Sequence, residues 1–130
     1  MEEFTLPDYN GGSIVNLMSS IAGSFGAKTR YKTLDILPQE KIDKANNVVL
    51  LVIDGMGYEY LKNKDTSILH NYMAGPMTSV FLPTTACAIT TFMTGVAPQQ
   101  HAFTGWYMHL KEIGVVSTIL PFSPRFGGQP

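Results

Sequence analysis

Asp54 and the threonine pair Thr84-Thr85 are the residues of this chain whose types and placement could do chemistry. Asp54 closes the apolar run "NVVLLVI" at 47–53 and is followed by Gly55-Met56-Gly57. Thr84 and Thr85 come directly after Pro83, where a β-like run gives way to an apolar helical pattern. A carboxylate is a hard oxygen ligand for a divalent cation, and neighbouring glycines let the backbone approach whatever it holds. A threonine at a helix start sits where backbone N–H groups and the macrodipole favour an anion, and a phosphoryl group fits that description. If a cation held by the carboxylate also touches the hydroxyl, the hydroxyl loses its proton more easily and becomes a usable nucleophile. Phosphoryl or sulfuryl transfer is the chemistry such a pair would serve. One threonine is enough to cap the helix, and the pattern alone leaves open whether that is Thr84 or Thr85.

The elements that would position these groups follow an α/β order. Residues 47–53 form an unbroken β-branched and leucine run, as expected for a central parallel strand covered on both faces. Residues 77–82 read as a second core strand, ended by Pro83, which cannot donate a ladder hydrogen bond. The helix after it runs from Thr84 or Thr85 to Thr94, with Ala86, Ile89 and Met93 on one stripe, Ala88 and Phe92 widening it, and Gly95 as its stop. Strand, helix, strand, helix predicts a βαβα unit with a right-handed crossover. It also puts Asp54 and the threonines on one rim, beyond the carboxyl ends of neighbouring strands, where open parallel sheets bind ligands.

Elsewhere, Ser13 is the expected N-cap of a helix with Ile14, Leu17, Met18 and Ile21 on its apolar face and Gly26 at its end. Leu34, Ile36 and Leu37 fit a short edge strand or a loop packed on the core. Tyr58 and Leu61 predict a short surface helix, and 67–73 another. Residues 96–105 read as loop, 106–108 and 115–120 as strands around Lys111-Glu112, and 121–130 carry no element pattern.

With 130 residues, the chain is long enough for one core and too short for two ordinary domains, so a single α/β unit over 1–130 is expected. A net charge of −1 without a Lys/Arg cluster argues against nucleic acid polymers and anionic membranes as partners. The start Met1-Glu2-Glu3 is acidic where a secretory signal is basic. The lone Cys87 excludes an internal disulfide and fits a reducing compartment, so a cytoplasmic location is expected. A mean hydropathy of +0.07 implies surface intended to be covered by something else; oligomeric state is open, with a homo-oligomer as one candidate.

Gly55-Met56-Gly57 lacks the third glycine of a dinucleotide fingerprint, because position 60 is Tyr60. Cys87 reads as a buried small hydrophobe. His101 reads as a loop residue holding a turn in preference to a substrate contact, and His70 and His109 as solvated or structural. Phe103, Trp106 and Tyr107 are assigned to core packing in preference to an aromatic wall for a ligand.

The stretches "VVLLVIDGMGYEYL" and "SVFLPTTACAITTFMTGVAPQQHAFTGW" resemble the N-terminal third of the alkaline phosphatase superfamily, in particular its type I phosphodiesterase and nucleotide pyrophosphatase branch. "TGVAPQQH" is similar to that family's TG-x-x-P-x-x-HG signature, with Ala102 standing where glycine is usual. "HLKEIGVVSTILPFSP" resembles the segment C-terminal to that signature in related bacterial members. The resemblance covers roughly residues 46 to 125. It implies that Asp54 ligates zinc and that Thr85 is the nucleophile and bridges to the same metal. Thr85 is preferred to Thr84 because counting back from Thr94-Gly95 places it at the family's nucleophile position.

The resemblance further implies a parallel-sheet sandwich of the alkaline-phosphatase-like type. The chain would be the N-terminal part of a larger hydrolase domain that binds two zinc ions and a small phosphorylated substrate. The Asp-x-x-x-His and Asp-His pairs that complete the family's metal centre do not occur in this sequence. His70, His101 and His109 do not match the later ligands, so no metal role falls on them. Two functions are therefore compatible with the sequence: a phosphate-ester hydrolase that is incomplete as this chain, and a catalytically inactive truncated relative acting as a binding or assembly module.

Overall fold

A computed structural model describes residues 4–127. The acidic start at 1–3 and the last three residues of the patternless tail lie outside the described residues. The element order is α1 (Ile14–Ser24), a 3-10 turn (Gln39–Lys41), α2 (Tyr58–Lys62), α3 (Ile68–Asn71), α4 (Thr85–Thr94), α5 (Pro98–His101), β1 (Tyr107–Leu110), β2 (Val115–Thr118) and β3 (Ser123–Pro124). The protein is thus a small α/β structure whose sheet is three-stranded and antiparallel, in the order β1-β2-β3.

The core forms where α1 and α4 meet. Ile14, Val15, Val80, Cys87 and Ala97 are buried together, with Tyr9, Tyr31, Ala88 and Phe92 packed against them. Ser13 is the N-cap of α1, as its sequence position predicts. The buried face of α1 is more polar than its apolar periodicity implies. Asn16, Ser19 and Ser20 are buried beside Ile14, Val15 and Leu17, while Met18 and Ile21 are only partly covered. Asn16 makes this tolerable by using both ends of its amide. Its Oδ1 accepts from the Ser13 N–H at 3.1 Å and the Ser13 hydroxyl at 2.6 Å, and its Nδ2 donates to the carbonyls of Tyr9 at 3.0 Å and Lys32 at 2.8 Å. A buried amide satisfied in this way anchors two loops to the helix start.

The two predicted core strands need correction. Residues 47–53 form no strand, and Val49 and Leu51 are 90% and 77% exposed. A parallel strand of this composition needs hydrogen-bonded neighbours and a covering layer on each face, and among the described residues nothing supplies them. Residues 77–82 make a single parallel bridge, Ser13↔Thr78. In that bridge Ile14 N–H donates to Thr78 O at 3.0 Å and Thr78 N–H to Gly12 O at 2.7 Å. The second run therefore pairs with the chain entering α1, and no crossover links it to 47–53.

Of the next three local expectations two change and one holds. The loop 96–105 contains α5, started by Pro98 at its first turn, where a missing N–H costs nothing. The strands around Lys111-Glu112 form a hairpin in the register Tyr107↔Thr118 to Leu110↔Val115. The tail adds β3 through Ser117↔Pro124 and Thr118↔Ser123. Trp106 and Tyr107 are 39% and 48% exposed, so neither is core. The Arg125 guanidinium lies 4.2 Å from the Tyr107 ring centre, a cation–π contact on the surface. Leu34 and Leu37 form an isolated antiparallel bridge with Leu34 buried, which is the loop alternative for that stretch. The short helices at 58–62 and 68–71 lie where expected, with Ser67 Oγ accepting from the Leu69 N–H at 3.2 Å. Among the described residues no helix is long and apolar enough to cross a membrane.

Candidate active site

The start of α4 separates the two threonines. Thr84 is the N-cap, and its Oγ1 accepts from the Cys87 N–H at 3.3 Å while donating to Cys87 Sγ at 3.0 Å. Thr85 is the first residue of the helix, and capping makes no demand on its hydroxyl. That hydroxyl points away from the helix and donates to Asp54 Oδ2 at 3.3 Å. Residues that are 31 positions apart in sequence are thereby brought together.

Each half of the pair has a local cause. Asp54 enters a turn in which Gly55 adopts φ 78, a left-handed conformation that side chains other than glycine resist, and α2 begins three residues later. Asp54 is exposed and Thr85 half-buried. The far end of α4 is fixed by Gly95, whose φ of 70 and N–H to Thr91 O bond at 2.8 Å form the expected left-handed stop. The ten residues of α4 are enough for an N-terminal dipole, and Thr85 sits at its positive end.

Farther along α4, His101 links α5 to Thr91. The Phe103 N–H donates to its Nδ1 at 3.1 Å, so Nδ1 carries no proton and Nε2 holds the ring hydrogen, facing Thr91 Oγ1 at 3.2 Å. Burial lowers the His101 pKa from its ordinary value, opposed more weakly by hydrogen bonds to backbone. His101 thus holds the turn, as its loop position implied. Ala102 ends α5 at φ 66, in the left-handed region. The structure leaves His109 exposed on β1 and His70 half-buried in α3, neither of them at the pair. Cys87 is fully buried.

An open groove of about 700 Å³ runs from Asp54 along Met56, Tyr58, Leu61, Met73 and Met77. Its walls come from three separate stretches of chain, so no periodicity in the sequence could have revealed it. Among the described residues no group of three or more His, Cys, Asp or Glu side chains gathers anywhere. A catalytic zinc takes three protein ligands, and Asp54 with Thr85 offers two oxygens. Among the described residues no third ligand joins this pair to complete a zinc site.

The family model described as type I phosphodiesterase / nucleotide pyrophosphatase matches residues 48–119, more than half of the chain and inclusive of both members of the pair. The chain belongs to that family. No curated protein and no solved structure gives a match.

Proposed function

We propose that this chain carries the nucleophile-bearing part of a metal-dependent phosphate-ester hydrolase, with Thr85 as the attacking group and Asp54 as a ligand for a divalent cation. The observation that carries this reading is the division of labour between the threonines: Thr84 caps α4, which leaves the Thr85 hydroxyl free to face Asp54 at 3.3 Å. A phosphoryl group at the start of α4 would lie against the positive end of the helix. Attack would form a Thr85 Oγ1–phosphorus bond as the phosphorus–ester-oxygen bond breaks, and the ester oxygen would leave as an alcohol carrying the proton that Thr85 gives up, which in the resting pair points at Asp54 Oδ2. Water then cleaves the phospho-threonine.

Zinc is the cation the family resemblance names. The remaining ligands would come from outside these residues, in a complete domain built as a parallel sandwich of the alkaline-phosphatase type. A small phosphorylated substrate and a cytoplasmic setting belong to the same proposal.

The second reading is a relative without activity that serves as a binding or assembly module. The two-oxygen donor set and the exposed run at 49–53 favour it. Zinc titration by calorimetry on the wild type and Asp54→Ala separates the two. Zinc uptake lost in Asp54→Ala supports the hydrolase reading, and zinc uptake that Asp54→Ala leaves unchanged overturns the ligand role of Asp54 and supports the module.

A further inference from the structure

The segment leading to Thr85 belongs to no sheet. Among the described residues, every hydrogen bond that ties 74–81 to other parts of the chain runs to residues 8–14, which lie outside the stretch matched by the family model. Thr78 is the centre of these bonds. Its N–H donates to Gly12 O at 2.7 Å and its carbonyl accepts from Ile14 N–H at 3.0 Å, while its Oγ1 donates to Gly12 O at 3.1 Å and accepts from Asp8 N–H at 2.9 Å. Phe81, four residues before Thr85, gives its N–H to the Tyr9 hydroxyl at 3.3 Å. Tyr9 is itself held fast. Its ring packs against the core cluster and meets the Tyr31 ring edge-on at 6.2 Å between centres, and its carbonyl accepts from Asn16 Nδ2 at 3.0 Å. The chain entering α1 is thus a fixed body to which 78–81 is fastened.

We propose that Thr78 and Tyr9 are positioning residues for Thr85: by clamping 78–81 onto the entry of α1 they set where the first turn of α4 stands, and so whether the Thr85 hydroxyl reaches Asp54. Three features carry this. The path from clamp to hydroxyl is short and stiff, because Val80 is buried in the core between the two clamped residues and Pro83 locks its own φ just before the cap. The Thr78 hydroxyl removes a freedom that the backbone leaves. Two main-chain bonds at one residue let the segment pivot about them, and the side-chain bonds to Gly12 O and Asp8 N–H oppose that pivot. The other member of the pair gives no such guidance, since no residue from 47 to 73 is fully buried and packing does not fix Asp54. The inference rests on the proposed role of Thr85 for its catalytic meaning, whereas the geometry is read directly.

Nuclear Overhauser spectra of the full chain are expected to show a cross-peak between the Thr85 methyl and the Asp54 β-protons. Thr78→Val, which keeps the side-chain shape and the backbone bonds but lacks the hydroxyl, is expected to lose it. Thr78→Ser restores the hydroxyl and is expected to regain the cross-peak. Tyr9→Phe is expected to lose it as well, with faster hydrogen exchange at the Phe81 N–H. Leu17→Ala, buried on α1 outside the clamp, is expected to lower the urea midpoint and keep the cross-peak, which separates positioning from stability. A wild type without the cross-peak, a folded Thr78→Val or Tyr9→Phe that retains it, a Thr78→Ser that does not regain it, or a folded Leu17→Ala that loses it each overturn the proposal. Should Thr78→Val fail to fold, Tyr9→Phe decides instead. Zinc uptake indifferent to Asp54, alongside a cross-peak that depends on Thr78, would sink the hydrolase reading and leave the clamp standing.

Discussion

The two halves of this molecule treat their apolar residues in opposite ways. Where α1, α4 and α5 meet, Val15, Val80, Cys87 and Ala97 are almost wholly covered, and even polar side chains such as Asn16 and Thr91 are buried and bonded. Between 47 and 73, no residue is fully buried, although the stretch includes the most uniformly apolar run in the sequence. Hydrophobicity alone therefore does not decide burial here. A helix satisfies its own backbone and needs only one covered face, whereas a strand needs partners for its backbone before burial is favourable.

The sharpest way to break that contrast is to remove the polar anchor of the packed half. Asn16→Ala leaves the buried Ser13 N–H and the Tyr9 and Lys32 carbonyls without their partner, and should cost about 3–4 kcal/mol of unfolding free energy in urea. Val80→Ala, in the same core, should cost about 2–3 kcal/mol. Val49→Ala, although it removes as much side chain as Val80→Ala, should stay within about 0.5 kcal/mol. Equal losses at Val49 and Val80 would show that the 47–53 run is packed in solution.

The threonine pair sets the two halves side by side. Thr84→Ala removes the N-cap of α4 and should lower stability by about 1 kcal/mol. Thr85→Ala gives up only the exposed bond to Asp54 and should lower stability by about 0.5 kcal/mol or less in the same urea titration. Reversal of the order would mean that Thr85 is the cap and that the candidate nucleophile has been misassigned.

A smaller gain is expected at Ala102. Its φ of 66 costs an alanine more than a glycine, so Ala102→Gly should stabilise by about 0.5–1 kcal/mol, visible as a raised melting temperature. No gain would mean that the end of α5 relaxes out of the left-handed region in solution.

What could be read from the sequence divides along the same line. Ser13, Gly95 and the helix after Pro83 were legible because caps and stops are local, whereas Asp54 was set beside the threonines by two expected core strands that do not form, and Thr85 was singled out from Thr84 only through the family resemblance. The short helix α5 carried a usable signal in Pro98, which the polar residues around it obscured. Strand β3 had none, since its pairing is set by β2. The expected strand at 47–53 failed for a different reason: its composition reports the environment it suits, while strand formation depends on neighbours that composition cannot supply. Asn16 was missed because an apolar helical period treats an asparagine as surface, and only the two loop carbonyls it bonds explain its burial.

His101 offers the finest test of how firmly the packed half is held. Desolvation lowers its pKa, and the Phe103 N–H aimed at Nδ1 leaves no room for a second proton there. The unfolded chain takes up a proton as pH falls through about 6.5, whereas the folded chain resists it until a lower pH. Stability should therefore be full above that value, decline as pH drops below it, and level off once the folded ring is also charged. The ring is only partly buried, so the decline should be the smallest of these effects. In His101→Gln, whose side-chain amide can still reach Thr91 but does not titrate, the urea midpoint should lose this part of its pH dependence. An unchanged slope in that variant would assign the proton uptake to another group.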